Sequence, residues 1–132
     1  MELKVTTEAG RVPVTVVHVD GNLDSATYHI FQQKAEELVR AGARHILVDL
    51  AHAPFVSSAG LRALHTLFND LRAAAGEVSD QDLRNGVSAG TYKSRHLKLL
   101  NPSKETAKTL NTAGFDMFLE VHTDLRTAID SF

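Results

Sequence analysis

The 132-residue chain has no cysteine and no tryptophan, and only three prolines. Without cysteine there is no disulfide, no thiolate nucleophile and no zinc thiolate centre, and the composition suits a reducing compartment. No apolar run approaches the ~18 residues that mark a membrane span, and the first residues lack the basic stretch and apolar core of a signal peptide. The expectation is a cytoplasmic protein with no membrane insertion. Positive charge is not in excess either: 14 Lys and Arg stand against 16 Asp and Glu, giving a formal net charge of −2. Such a surface cannot supply the phosphate contacts on which nucleic-acid binding depends, so no direct nucleic-acid role is expected. What is present, 43% hydrophobic and 23% charged residues, is the balance of a globular fold, and at this length one domain over residues 1–132 is the simplest reading.

Hydrophobic periodicity divides the chain into alternating elements. Leu3 and Val5, then Val12, Val14, Val16, Val17 and Val19, flank a turn signal at Ala9-Gly10 and predict a β-hairpin;. Pro13 lacks a ladder donor and must stand at the start or outer side of its strand. After the turn Gly21-Asn22-Leu23-Asp24-Ser25, the residues Tyr28, Phe31, Ala35, Leu38 and Val39 share one helical face, with Asp24 or Ser25 as cap;. Ile46 to Leu50 reads as a buried strand. Leu61, Leu64, Leu67, Phe68 and Leu71 define a second helix that ends near Gly76;. From Glu77 to about Ser94 the chain is polar and glycine-bearing, a long insertion of the kind that is usually functional or disordered. A strand at Leu97 to Leu100, a helix carrying Ala107, Leu110 and Ala113, a strand from Met117 to Val121, and a short helix with Leu125, Ala128, Ile129 and Phe132 inward complete the pattern. Strands alternating with helices predict an α/β fold: a mostly parallel sheet with an antiparallel N-terminal hairpin and helices mainly on one face. The loops after the parallel strands then gather Asp20 to Ser25, Ala51 to Ser58 and Asn101 to Ser103 at one end of the sheet.

The densest chemistry lies in Phe55-Val56-Ser57-Ser58-Ala59-Gly60-Leu61, where two hydroxyls meet the start of a helix. There, unpaired backbone N–H groups and the positive end of the dipole suit either a cap or an anion. This segment, with Gly21-Asn22-Leu23-Asp24, the strand Ile46 to Leu50, Asn101-Pro102-Ser103 and Ala113-Gly114-Phe115, resembles the bacterial anti-sigma factor antagonists of the STAS domain family. The resemblance spans nearly the whole chain apart from the polar insertion. It implies that Ser58 is phosphorylated by a partner anti-sigma factor of the GHKL serine kinase type, and that a PP2C-type phosphatase reverses the modification. It also implies a partner-binding surface formed by Asp24, Ser25, Ser57, Ser58, Gly60, Leu61 and Asn101. Many phosphorylated relatives carry Asp-Ser-Ser-Gly-Leu or Asp-Ser-Ala-Gly-Leu here, whereas this chain has Ser57 in the position of the acid.

Other chemistries find less support. A serine hydrolase would place Ser58 in a Gly-x-Ser-x-Gly elbow, but no glycine stands two residues before it, and no His–acid pair is identifiable. The seven histidines are scattered at positions 18, 29, 45, 52, 65, 96 and 122 without ligand spacing, so no metal site is expected;. Gly21, Gly42 and Gly60 lack the lysine and spacing of a phosphate-binding loop, and no cofactor is implied. A phosphorylation-independent member of the same family, serving as a scaffold or transport-assembly subunit, is the alternative to the switch.

Overall fold

The computed structural model describes residues 1–76, 86 and 92–132. Strands β1 (Glu2–Ala9) and β2 (Pro13–Asp20) form the antiparallel hairpin, in unbroken register from Glu2 opposite Asp20 to Ala9 opposite Pro13. Pro13 is the first residue of β2, where a missing ladder donor is tolerated;. Helix α1 (Tyr28–Arg40), strand β3 (Ile46–His52), helix α2 (Ser58–Ala75) and strand β4 (Leu97–Leu100) follow, then helix α3 (Lys104–Thr112), strand β5 (Val121–His122) and helix α4 (Leu125–Asp130). The strands lie in sequence order, β1-β2-β3-β4-β5, with β2 to β5 mutually parallel.

The two-residue period of the strands explains how the layers form. Val17, Val19, Val48 and Leu99 point to one face and meet Phe31 of α1, Leu64 of α2 and Leu110 of α3. Val14, Val16, Leu47 and Leu100 point to the other, where Ala128 and Ile129 of α4 cover them. The helices thus lie mainly on one face, as the alternation predicts, with the short α4 on the opposite side.

Four local expectations need correction. Tyr28, the first residue of α1, is exposed and sets its ring edge-on to His29, so only Phe31 and Ala35 of the expected face are fully buried. On α3 it is Thr106, not Ala107, that is buried with Leu110. A buried threonine is tolerated there because Ser103 Oγ accepts from its N–H and lies 3.0 Å from its hydroxyl;. The strand expected from Met117 to Val121 is replaced by a 3-10 turn at Phe115–Met117 and a two-residue β5. Gly114, at φ +77°, turns the chain so that Phe115 and Phe118 lie 5.3 Å apart and Phe118 lies 4.8 Å from Phe68. Finally, Leu125 is 40% exposed, because a six-residue helix turns only Ala128 and Ile129 fully inward.

Of the polar insertion, residues 77–85 and 87–91 lie outside the described residues. Its far end joins the fold: Ser94 is buried, its N–H donates to Phe118 O, and Tyr92 packs edge-on against Phe68.

Candidate functional site

The loops that leave β2 and β3 are joined by their backbones. Gly21 N donates to His52 O at 2.9 Å; its φ of +111° is a conformation that glycine adopts without strain;. Leu23 then pairs with Val56 as an isolated parallel bridge: Leu23 N donates to Phe55 O at 3.0 Å and Ser57 N to Leu23 O at 2.9 Å. Leu23 and Val56 are both buried, so this bridge is anchored in the core. The loop after β4 joins through Ser103, whose hydroxyl donates to Pro54 O at 3.0 Å while capping α3 through Thr106 N. The gathering of the three loops at one end of the sheet is therefore as expected.

Helix α2 starts from this platform. Ser57 is its N-cap, in extended geometry, with Oγ accepting from Gly60 N at 3.4 Å. Ser58 is the first helical residue, exposed, and its side chain makes no hydrogen bond among the described residues. The adjacent hydroxyls thus separate into one that closes the helix and one that faces solvent. Gly60 lets the helix approach the platform: a Cβ there would lie 2.5 Å from Leu23 O and 2.9 Å from both Leu23 Cγ and Val56 Cγ1.

The remaining predicted site residues divide by position. Ser25 is exposed. Asp24 is half-buried and heads the turn before α1, with Oδ1 accepting from Ala26 N at 3.0 Å and its carbonyl from Tyr28 N at 2.8 Å. Neither Asp24 nor Ser25 is the cap of α1; Thr27 stands there, because the Asp24 turn occupies the residues before it. Gly60 and Leu61 are buried, so any part they take in a partner surface is to seat α2. Asn101 adopts φ +51° and its N–H donates to His122 O at 2.8 Å, which ties it to β5 rather than to the Ser58 loop. His45 and His96 lie with ring centroids 5.4 Å apart, but no group of three or more His, Asp or Glu side chains among the described residues is arranged to hold a metal ion.

Two features were not anticipated from sequence. Phe55 is 46% exposed although Leu23 fixes its backbone, which leaves an apolar ring three positions before Ser58. Asp49, inside an otherwise apolar strand, shapes the end of β3. Its Oδ1 accepts from Ala51 N at 3.0 Å, beside a register shift between the pairs His18–Asp49 and Asp20–His52. Its Oδ2 lies 2.8 Å from His18 Nδ1, and His18 Nε2 is 3.1 Å from Thr6 Oγ1, so one hydrogen-bonded chain crosses β1, β2 and β3. Irregularities of this kind re-aim the residues that follow them. The only advance sign was a charged residue within the apolar run.

A family model for the STAS domain matches residues 4–79, more than half of the sequence. The chain belongs to the STAS domain family. Solved structures agree on the fold. The Bacillus cell fate determinant SpoIIAA, in its phosphorylated form, superimposes with a TM-score of 0.65 at 19% identity, covering 98% of this chain and 97% of that one. An anti-sigma factor antagonist from Mycobacterium paratuberculosis gives 0.68 at 18% identity over 96% of this chain and 91% of its own. The murine anion transporter Slc26a9 gives 0.62 at 17% identity, covering 88% of this chain but 17% of the transporter. No curated protein gives a significant sequence match. No helix among the described residues of this STAS domain is long and apolar enough to cross a membrane.

Proposed function

We propose that this STAS domain, read over the whole chain, is an anti-sigma factor antagonist whose binding is switched by phosphorylation of Ser58. The observation that carries the reading is the division of labour at α2: Ser57 is committed to the cap, while Ser58 offers an exposed hydroxyl with no hydrogen-bond partner among the described residues, on a platform fixed by Leu23. The partner is an anti-sigma factor of the GHKL serine kinase type, and a PP2C-type phosphatase restores the binding form. Asp24, Ser25 and Ser58, with Phe55 as an apolar anchor, form the contact surface. Phosphorylation adds about −1.5 to −2 charges near neutral pH. At the start of a helix the dipole and orphan N–H groups tolerate that charge, so the domain keeps its fold. At an interface arranged for a neutral hydroxyl the dianion meets desolvation and, from Asp24, like charge. A penalty of only ~3 kcal/mol weakens binding more than a hundredfold.

The test is titration of a kinase-type anti-sigma factor with wild-type, Ser58→Ala, Ser58→Asp and authentically phosphorylated protein, each also followed through thermal unfolding. Ser58→Ala should bind without accepting phosphate. Phosphorylated protein should melt like wild type and bind poorly, with Ser58→Asp weakened less. Unchanged affinity after phosphorylation, or phosphate on Ser57 alone, would reject the switch. It would favour a phosphorylation-independent scaffold, a reading to which Ser57 in place of the usual acid already points.

A further inference from the structure

The sheet ends at β1 on one side, and β1 is eight residues long, in unbroken register with β2 and free of proline and bulges. Its outer row of backbone N–H and C=O groups has no strand partner among the described residues, the arrangement that invites another strand unless it is blunted;. Among the described residues only its last carbonyl is taken, Ala9 O accepting from Arg126 Nη2 at 3.0 Å. The side chains supply two further observations. Val5 is 37% exposed on the face that carries Leu3. On the other face stand Lys4 and Glu8, of opposite sign, and neither side chain makes an ion pair or hydrogen bond among the described residues.

We propose that β1 pairs antiparallel with β1 of a second copy of this chain, in the register that sets Thr6 opposite itself. Residues directly opposite across an antiparallel pair share a face, so a two-fold axis normal to the sheet allows only pairings in which both numbers are even or both are odd. Charge selects among them. With Thr6 at the centre, Lys4 faces Glu8 of the second copy twice over and Val5 faces Thr7. With Val5 at the centre, Glu2 faces Glu8 twice. With Lys4 at the centre, two lysines face each other. The Thr6 register alone satisfies both unpaired charges, and it continues the sheet through the dimer. Because the opposite edge, β5, has only two residues, the assembly closes at two copies. An edge pairing of this size sits at the low end of specific interfaces, so the dimer is reversible and appears with concentration.

The test is sedimentation equilibrium from micromolar to submillimolar protein, with circular dichroism to confirm that each variant is folded. Wild type and Ser58→Ala should dimerise alike, which separates this result from the fate of the phosphorylation switch. Lys4→Glu and Glu8→Lys should each self-associate at least tenfold more weakly. Mixed together they should form a heterodimer, since each acid of one then faces a lysine of the other, and the double variant Lys4→Glu/Glu8→Lys should dimerise like wild type. A monomeric wild type throughout the range, single variants that dimerise undiminished, or folded single variants that fail to associate when mixed would each overturn the proposal.

Discussion

Replacing Gly60 by alanine tests how the platform and α2 fit together, because two effects of known sign compete. In an ordinary helix interior the change is stabilising: alanine is favoured over glycine by roughly 0.8–1.0 kcal/mol. Here the new methyl would lie 2.5 Å from Leu23 O and must withdraw by about 0.9 Å to reach the 3.4 Å of ordinary contact. The obstruction cannot swing aside like the tip of a flexible side chain. Leu23 O is backbone, and it holds Ser57 N at 2.9 Å, so opening the gap stretches the hydrogen bond that orients the start of α2. Overpacking a tight site costs about 1–3 kcal/mol, and a weakened hydrogen bond about 0.5–1.5 kcal/mol more. After the propensity gain is subtracted, Gly60→Ala should destabilise the domain by about 1–3 kcal/mol and lower Tm by roughly 3–10 °C. Urea and thermal unfolding by circular dichroism measure this. Ala74→Gly, at an exposed position of the same helix, serves as the control and should cost about 1 kcal/mol through propensity alone;. A Gly60→Ala protein that melts at or above wild type would show that α2 slides freely on the platform, and the packing argument would fail.

Ser57→Ala should cost only about 0.5–1 kcal/mol, the low end for an N-cap, because its bond to Gly60 N is long at 3.4 Å;. A loss above twice that in urea unfolding would show that Ser57 does more than cap. Glu120 provides a pH test: burial pushes its carboxyl up, but the Lys98 ammonium at 3.0 Å and the His122 ring outweigh that and hold it below the ordinary glutamate value of 4.5. A carboxyl lowered in the folded state contributes stability that is complete above its ordinary value and is lost as pH falls through the folded one. Glu120→Gln should therefore flatten the fall of the urea midpoint with acid below that value, and an unchanged acid slope would refute the assignment.

Elements carried by local periodicity were legible from sequence. Val14 to Val19 is a valine-rich run, the Leu61 to Leu71 stripe repeats at helical spacing, and Ala9-Gly10 and Gly76 punctuate them, so the hairpin, α2 and their order could be read directly. Failures occurred where long-range packing overrode local preference. Phe118 turns out of the expected strand to reach Phe68, and Thr106 replaces Ala107 inside because Ser103 satisfies its polar atoms. At the site, local sequence signals placed both serines at a helix start but did not tell which of them caps it. The difference lies in backbone geometry: Ser57 has φ −84° and ψ 177°, the extended conformation that aims a side chain back at the helix, and Ser58 is already helical. The Leu23–Val56 bridge joins residues far apart in the chain through backbone groups that every residue type carries, so no pattern in the letters marks it, and the Asp49 brace, built from side chains on three strands, was signalled only by a charged residue in an apolar run.

That geometry bears on how a switch at this position would work. The hydrogen bonds that fix the platform run through Gly21, Leu23, Phe55, Ser57 and Ser103, and none uses the Ser58 hydroxyl. Phosphorylating Ser58 would therefore break none of these contacts that hold the loops. In such a switch the free energy that separates the two forms would arise at the interface, where Ser58 and, three positions before it in the chain, Phe55 are both exposed. An apolar anchor gains by excluding water, and a phosphate dianion loses by the same exclusion, so the closer the partner seats on Phe55 the larger the penalty for phosphate. Phe55→Ala should accordingly weaken binding of the unphosphorylated protein and also narrow the ratio of affinities between the two forms. If the ratio stayed fixed while affinity fell, the phosphate would act through charge repulsion alone, with desolvation contributing nothing to release.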